Sequence, residues 1–154
     1  DPLWSRGLGD VYKRQLQVGA VSGTVDLSAL ATATGATTAT CKAGIYVFNG
    51  TNATPDDMDG KASDGADPIV YFPVTPAAGG STATYSIPLL EVGAYTIAGT
   101  CQFDVDADPS VSEYDPTATA PAPGAPAPPG YQTMKFVTRN ATVTNGGTTT
   151  VNLP

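Results

Sequence analysis

The segment Tyr85-Ser-Ile-Pro-Leu-Leu-Glu-Val-Gly-Ala-Tyr-Thr-Ile-Ala-Gly-Thr-Cys101 constrains the fold more than any other stretch of this chain. It alternates apolar and polar residues on either side of a short Glu-Val-Gly turn and ends on one of only two cysteines. The other cysteine opens a second such run, Cys41-Lys-Ala-Gly-Ile-Tyr-Val-Phe48. Successive side chains of a strand point to opposite faces. Cys41, Ala43, Ile45 and Val47 therefore share one face, and Tyr95, Ile97, Gly99 and Cys101 share another. If those faces meet in one core, the two sulfurs can meet as well. The expectation is an exported β-sandwich stapled by a disulfide.

At 154 residues the chain fits one domain. Threonine, alanine, glycine and proline are abundant, which suits short strands and turns. No window longer than a few residues places apolar side chains at i, i+3, i+4 and i+7, so helix is expected to be a minor component at most. No stretch is apolar enough for a transmembrane helix. The net charge of −7 disfavours nucleic acid, whose phosphates it would repel. The chain has no histidine, so the commonest general base and the commonest metal ligand are both missing.

Residues 1–15 differ from the rest. They hold the only tryptophan and three of the seven basic residues (Arg6, Lys13 and Arg14). Without them four basic residues face twelve acidic ones, a net charge of −8. With no apolar segment and no small-residue cleavage site, they do not form a signal peptide. They resemble translated sequencing adaptor, and the alternative is a disordered N-terminal arm. If they are an adaptor artefact, the true start is lost, together with any signal peptide or lipidated cysteine. A single sandwich domain is expected over 16–154.

The alternation predicts strands over Val18 to Leu27, Cys41 to Asn49, Ile69 to Val74, Thr82 to Leu90, Gly93 to Phe103, Met134 to Thr144 and Thr148 to Leu153, with Ser28 to Thr40 as a loop. Pro73 cannot donate to a ladder and belongs at a strand end or on an edge. Asn145-Gly146 between alternating runs signals a hairpin. The tract 116–130, rich in proline and alanine, favours polyproline II and reads as a flexible surface loop. Seven short strands argue for a two-sheet antiparallel sandwich.

Three pieces carry a resemblance: Gly19-Ala-Val-Ser-Gly-Thr-Val25, the Tyr85 to Ile97 run, and Ala141-Thr-Val-Thr-Asn-Gly-Gly-Thr-Thr-Thr-Val-Asn-Leu153. Together they resemble the carboxypeptidase-regulatory-like (transthyretin-like, prealbumin-like) seven-stranded sandwich. Its first strand reads G-x-V-x-G, and its hairpins place Tyr, Leu, Gly and Val at similar spacings. Gln17 to Leu153 also looks like uncharacterised lipoprotein domains of marine Gram-negative bacteria. The Pro/Ala tract departs from the pattern as an insertion between strands five and six. The resemblance carries no catalytic residues. It implies that strands two and five are antiparallel neighbours, which puts Cys41 and Cys101 at the same end. Their bridge is the expectation; two buried thiols in a cytosolic protein are the alternative.

Asp104, Asp106 and Asp108 stand at alternate positions, and Asp56-Asp-Met-Asp-Gly60 adds a second acidic cluster. Calcium takes six to eight oxygens from such groups. The two loops leave opposite ends of the expected sandwich, so one shared ion does not fit. A solvated acidic surface is the competing reading. Asn49, Asn52 and Asn140 match the glycosylation acceptor pattern, which a Thr-rich chain produces by chance. Tyr46, Phe48, Tyr71, Phe72, Tyr85 and Tyr95 suit a ligand platform, or equally a sandwich core with cross-strand pairs. Serines have no histidine partner, neither Lys42 nor Lys61 lies in a Ser-x-x-Lys motif, and carboxylates confined to loops fit a glycosidase poorly.

The expected function is a non-enzymatic, exported module of the bacterial envelope, periplasmic or at the cell surface, structural or binding. A calcium- or carbohydrate-binding adhesion module is the alternative. An envelope protein or a glycan is the expected partner, and a lipid anchor is expected if the true start is missing. The calcium reading predicts a melting temperature that is higher in millimolar calcium than in chelator; equal values in the two refute it.

Overall fold

The computed structural model describes residues 16–56, 65–103, 124 and 134–154. Among them the chain runs β1 (Val18–Asp26), α1 (Leu27–Thr34), β2 (Gly44–Asn49), β3 (Val70–Pro73), β4 (Thr82–Glu91), β5 (Gly93–Thr100), β6 (Phe136–Val143) and β7 (Thr148–Thr150). The strands form two sheets, β4-β1-β7 and β3-β2-β5-β6, an all-β sandwich. The N-terminal arm and, apart from Gly124, the Pro/Ala tract lie outside the described residues.

The predicted inward faces meet. Val21, Val25, Ala83, Tyr85 and Ile87 from one sheet pack with Ala43, Ile45, Val47, Tyr95, Ile97 and Cys101 from the other. Val21, Val25, Ile45, Val47 and Ile97 are wholly excluded from water. Burying a Val or Ile side chain is worth about 1.5–3 kcal/mol, so this layer dominates the stability.

A tyrosine locks the three-stranded sheet. Gly23 faces Tyr85 across the β1–β4 ladder. Having no side chain, Gly23 lets the tyrosine ring lie over it, and the Tyr85 hydroxyl donates to the carbonyl of Val151 beyond β7. A Cβ on Gly23 would run into that same carbonyl, and one on Gly19 into the carbonyl of Thr144. Both glycines of the first strand therefore serve the close approach of the C-terminal segment. β7 lies parallel to β1, with Ala20 opposite Thr148 and Ser22 opposite Thr150.

This pairing corrects three expectations. The sheets are not wholly antiparallel. Asn145-Gly146 does turn the chain, with Gly146 at φ 70°, but β6 and β7 enter different sheets and form no hairpin. The turn is captured by β1 instead, through Gly146 N–H to Val18 O (2.9 Å) and Ala20 N–H to Gly147 O (2.9 Å). Likewise, β4 and β5 belong to different sheets, and Glu91 to Gly93 carry the chain across the sandwich rather than around a hairpin. Tyr95 clasps this crossing by donating to the Glu91 carbonyl at 2.7 Å. Burial and the neighbouring Glu91 charge push the Tyr95 phenol above its ordinary pKa.

The segment read as a loop after residue 27 begins as α1. Asp26 caps its start by accepting from Ala29 N–H (3.1 Å). Gly35 closes it at φ 73° in the left-handed region. Leu27, Leu30, Ala31 and Thr34 stand at i, i+3, i+4 and i+7, and the last three are buried. Leu30 packs with Leu153 over Gly99, where a Cβ would come 3.1 Å from Leu153 and 3.4 Å from Leu30.

The outer face of the four-stranded sheet is also covered. Tyr46, Phe48 and Ala98 are wholly buried there, in a cluster with Phe103 and Met134. Tyr46 stacks on Tyr71 across the β2–β3 ladder at 5.6 Å and meets Phe136 edge-on at 5.4 Å. Strands β2 and β5 are thus buried on both faces, as expected of the central strands of a covered sheet. The edges are blunted. β3 has four residues and ends on Pro73, as its proline requires. β4 carries Pro88 and a bulge that sets Leu89 at φ 60°.

Burial pushes the Tyr85 phenol up to about 12. A folded-state pKa above the unfolded value near 10 means that its contribution is complete below pH 10 and is lost as pH rises toward 12. We predict that urea-unfolding midpoints fall over this range and fall less steeply in Tyr85→Phe. At neutral pH the same variant loses about 1–2 kcal/mol, because the Val151 carbonyl loses its buried donor. A variant as stable as the parent at neutral pH, with the same alkaline slope, would contradict the lock.

Candidate functional site

The described residues concentrate their chemistry at the end of the sandwich where β2 begins and β5 ends. Cys41 and Cys101 are bonded there, with Cα atoms 4.4 Å apart and 60 residues of sequence separation. Cys101 is buried and Cys41 half-buried against the inner core. The backbone wraps the bridge: Lys42 N–H donates to Cys101 O and Phe103 N–H to Lys42 O, both at 2.9 Å. The sulfurs thus lie where the alternation placed them, although the residues around Cys41 form an isolated bridge to Gln102 and not a continuation of β2.

Beside the disulfide opens a cleft of about 380 Å³. Its walls come from Leu27 at the start of α1, from Cys41 to Ala43, from Pro73 to Pro76 beyond β3, and from Phe103. Phe103 lies over Gly44, where any Cβ would strike its ring. Val74 N–H is paired with Ala43 O at 3.0 Å, which ties the segment after β3 to the residues before β2. Among the described lining residues, all but Lys42 and Thr75 have side chains without a charged or hydroxyl group. Such a surface can hold and orient a small molecule.

The other predicted site residues are not brought together. Asp104, Asp106 and Asp108 lie outside the described residues, as do Asp57, Asp59 and Lys61. Phe103, just before the first triplet, is at the end of the sheet away from Asn49, so the two acidic loops do leave opposite ends. The bridge between Pro55 and Ala66 sets Asp56 and Asp67 at the neck of the other acidic loop. No group of three or more potential metal ligands occurs among the described residues. No helix among them is long and apolar enough to cross a membrane.

The aromatic residues split between two cores and form no open platform. Tyr85 and Tyr95 are inside the sandwich and Phe72 packs against that core, while Tyr46, Phe48 and Tyr71 build the outer cluster. Two of the asparagines in acceptor motifs are tied to each other. Asn140 Nδ2 donates to Asn52 Oδ1 at 2.8 Å, and Asn52 N–H to Asn140 Oδ1 at 2.9 Å. Thr96 adds a second clasp, donating to Gly50 O at 2.8 Å and accepting from Ala53 N–H at 3.0 Å. Together these bonds fold the loop after β2 onto the sheet. Lys42 was legible only as a lysine outside a known motif; nothing in the local sequence announces the cleft, which is assembled from four distant segments.

The bridge closes a loop of 60 residues, for which the chain-entropy model gives about 4 kcal/mol. We predict that the double variant Cys41→Ala, Cys101→Ala loses roughly this much in urea unfolding, and that reduction has a similar effect on the parent. Unchanged midpoints would show that the core alone sets the register of β2 on β5.

Comparison of the chain with family models, with curated proteins and with solved structures found no match. The functional reading therefore rests on the architecture and on the chemistry of this end of the sandwich.

Proposed function

We propose that this chain is a non-enzymatic, exported β-sandwich module of the bacterial envelope, periplasmic or at the cell surface, with a binding or structural role. The observation that carries the reading is the Cys41–Cys101 disulfide. Such bridges persist in oxidising compartments and are rare in the cytosol. The bridge joins the only two cysteines of the chain at one end of the central ladder.

The prealbumin-like kinship belongs to the same proposal. Its support is physical: the two glycines of the G-x-V-x-G strand and the tyrosine of the fourth strand act on one object, the C-terminal segment beside β1. These are the motif residues on which the resemblance rests. The non-enzymatic reading draws on the absence of histidine from the sequence and on a cleft whose described lining residues are mostly apolar.

The test compares the whole chain made with an export leader and without one. We expect exported protein to have no alkylatable thiol by mass spectrometry and to resist protease. Protein made in a reducing cytosol should carry two free thiols and melt lower. Cytosolic protein with free thiols, the same melting temperature and the same protease resistance would remove the reason for export.

A further inference from the structure

We propose that the cleft beside the disulfide binds a small amphiphilic anion, a carboxylate on a short apolar body, with Lys42 receiving the charge. The inference deepens the binding half of the proposed function and rests on that reading.

Three observations converge on this ligand class. The first is shape. The cleft of about 380 Å³ falls within the usual range of small-molecule sites. It has room for about a dozen waters at ~30 Å³ each, the scale of a ligand with roughly ten heavy atoms. The second is lining. Leu27, Ala43, Val74, Pro76 and Phe103 offer apolar walls, and several backbone groups beside them are already hydrogen-bonded, Val74 N–H to Ala43 O and Phe103 N–H to Lys42 O. An apolar body therefore gains by leaving water, while a strongly polar one would lose hydrogen bonds.

The third is charge. Acidic residues outnumber basic ones fourteen to seven in this chain, yet Lys42 makes no ion pair with any described residue. Lys42 is exposed and lines the cleft, and none of the described lining residues carries a carboxylate. A cation so placed favours an anionic head held at the mouth, with the tail directed inward along Val74 and Phe103. The remaining polar side chain of the lining, Thr75, has a hydroxyl able to donate to the same head. A cationic amphiphile would meet the Lys42 charge with like charge.

The experiment uses the oxidised, full-length chain, octanoate as the probe, and octan-1-ol as its uncharged counterpart. We expect octanoate to move the amide resonances of Lys42, Ala43, Thr75 and Phe103 saturably, and to bind about five- to tenfold more weakly to Lys42→Gln. Octan-1-ol should bind the parent and Lys42→Gln equally, since only the charge is removed. Lys42 is exposed, so Lys42→Gln should fold, and its unchanged melting temperature is the control. Equal octanoate affinity in both proteins would overturn the role of Lys42. Non-saturating shifts centred on the exposed Leu16, Leu89 and Val92 would show surface adsorption and overturn the site itself. Either failure leaves the thiol state and protease resistance of exported protein untouched, so it is distinguishable from failure of the export reading.

Discussion

The antiparallel ladder between β2 and β5 is the constraint on which the rest of the structure depends. Its residues alternate between two hydrophobic layers, Ile45, Val47 and Ile97 on the inner side and Tyr46, Phe48 and Ala98 on the outer. A one-residue slip would send every one of these side chains to the other layer. The disulfide closes the ladder at one end, and the Thr96 and Asn140 bonds to the loop after β2 close it at the other. With the ladder so held, β3 and β6 add at its sides and the three-stranded sheet packs over its inner face.

The three-stranded sheet depends on absent atoms. Gly19 and Gly23 leave space where any side chain would meet the C-terminal segment, and Tyr85 reaches through one of those spaces to Val151. That geometry explains why the segment after the Asn-Gly turn joins β1 in parallel rather than folding back on β6. A two-residue turn dictates a reversal of direction; it does not dictate which strand receives the chain. The same holds at Glu91 to Gly93, where a short connection carries the chain from one sheet to the other.

Much of the architecture was readable from side-chain alternation. The inner face of β2 and β5 follows from period two, and the place of Pro73 at the end of an edge strand from its missing donor; the meeting of Cys41 with Cys101 needed in addition the neighbouring strands that the resemblance implied. Sheet membership was not readable, because alternation says which way a side chain points and nothing about which strand lies alongside. The helix after β1 was missed although its signals stand in the sequence, Asp26 as cap, Gly35 as stop, and Leu27, Leu30, Ala31 and Thr34 between them. Alanine and threonine make a weak apolar stripe, so the stripe was overlooked. The outer aromatic cluster was not told apart from the sandwich core, although the unbroken run Ile45-Tyr-Val-Phe48 is the mark of a strand covered on both faces. The cleft was not visible, since Leu27, Lys42, Val74 and Phe103 are adjacent only once the sheets have packed.

One region of the fold thus serves stability and, as proposed, recognition. Cys41 carries one of the bonded sulfurs and also forms part of the cleft wall, which ties the proposed binding surface to the oxidised state. Native-state hydrogen exchange followed amide by amide, before and after reduction, tests the central claim most directly. The account predicts that Ile45 to Phe48 and Tyr95 to Ala98 exchange slowest in the oxidised protein, through global unfolding, and lose protection when the bridge is reduced. Exchange at those amides as fast as at β3, or protection indifferent to reduction, would contradict it.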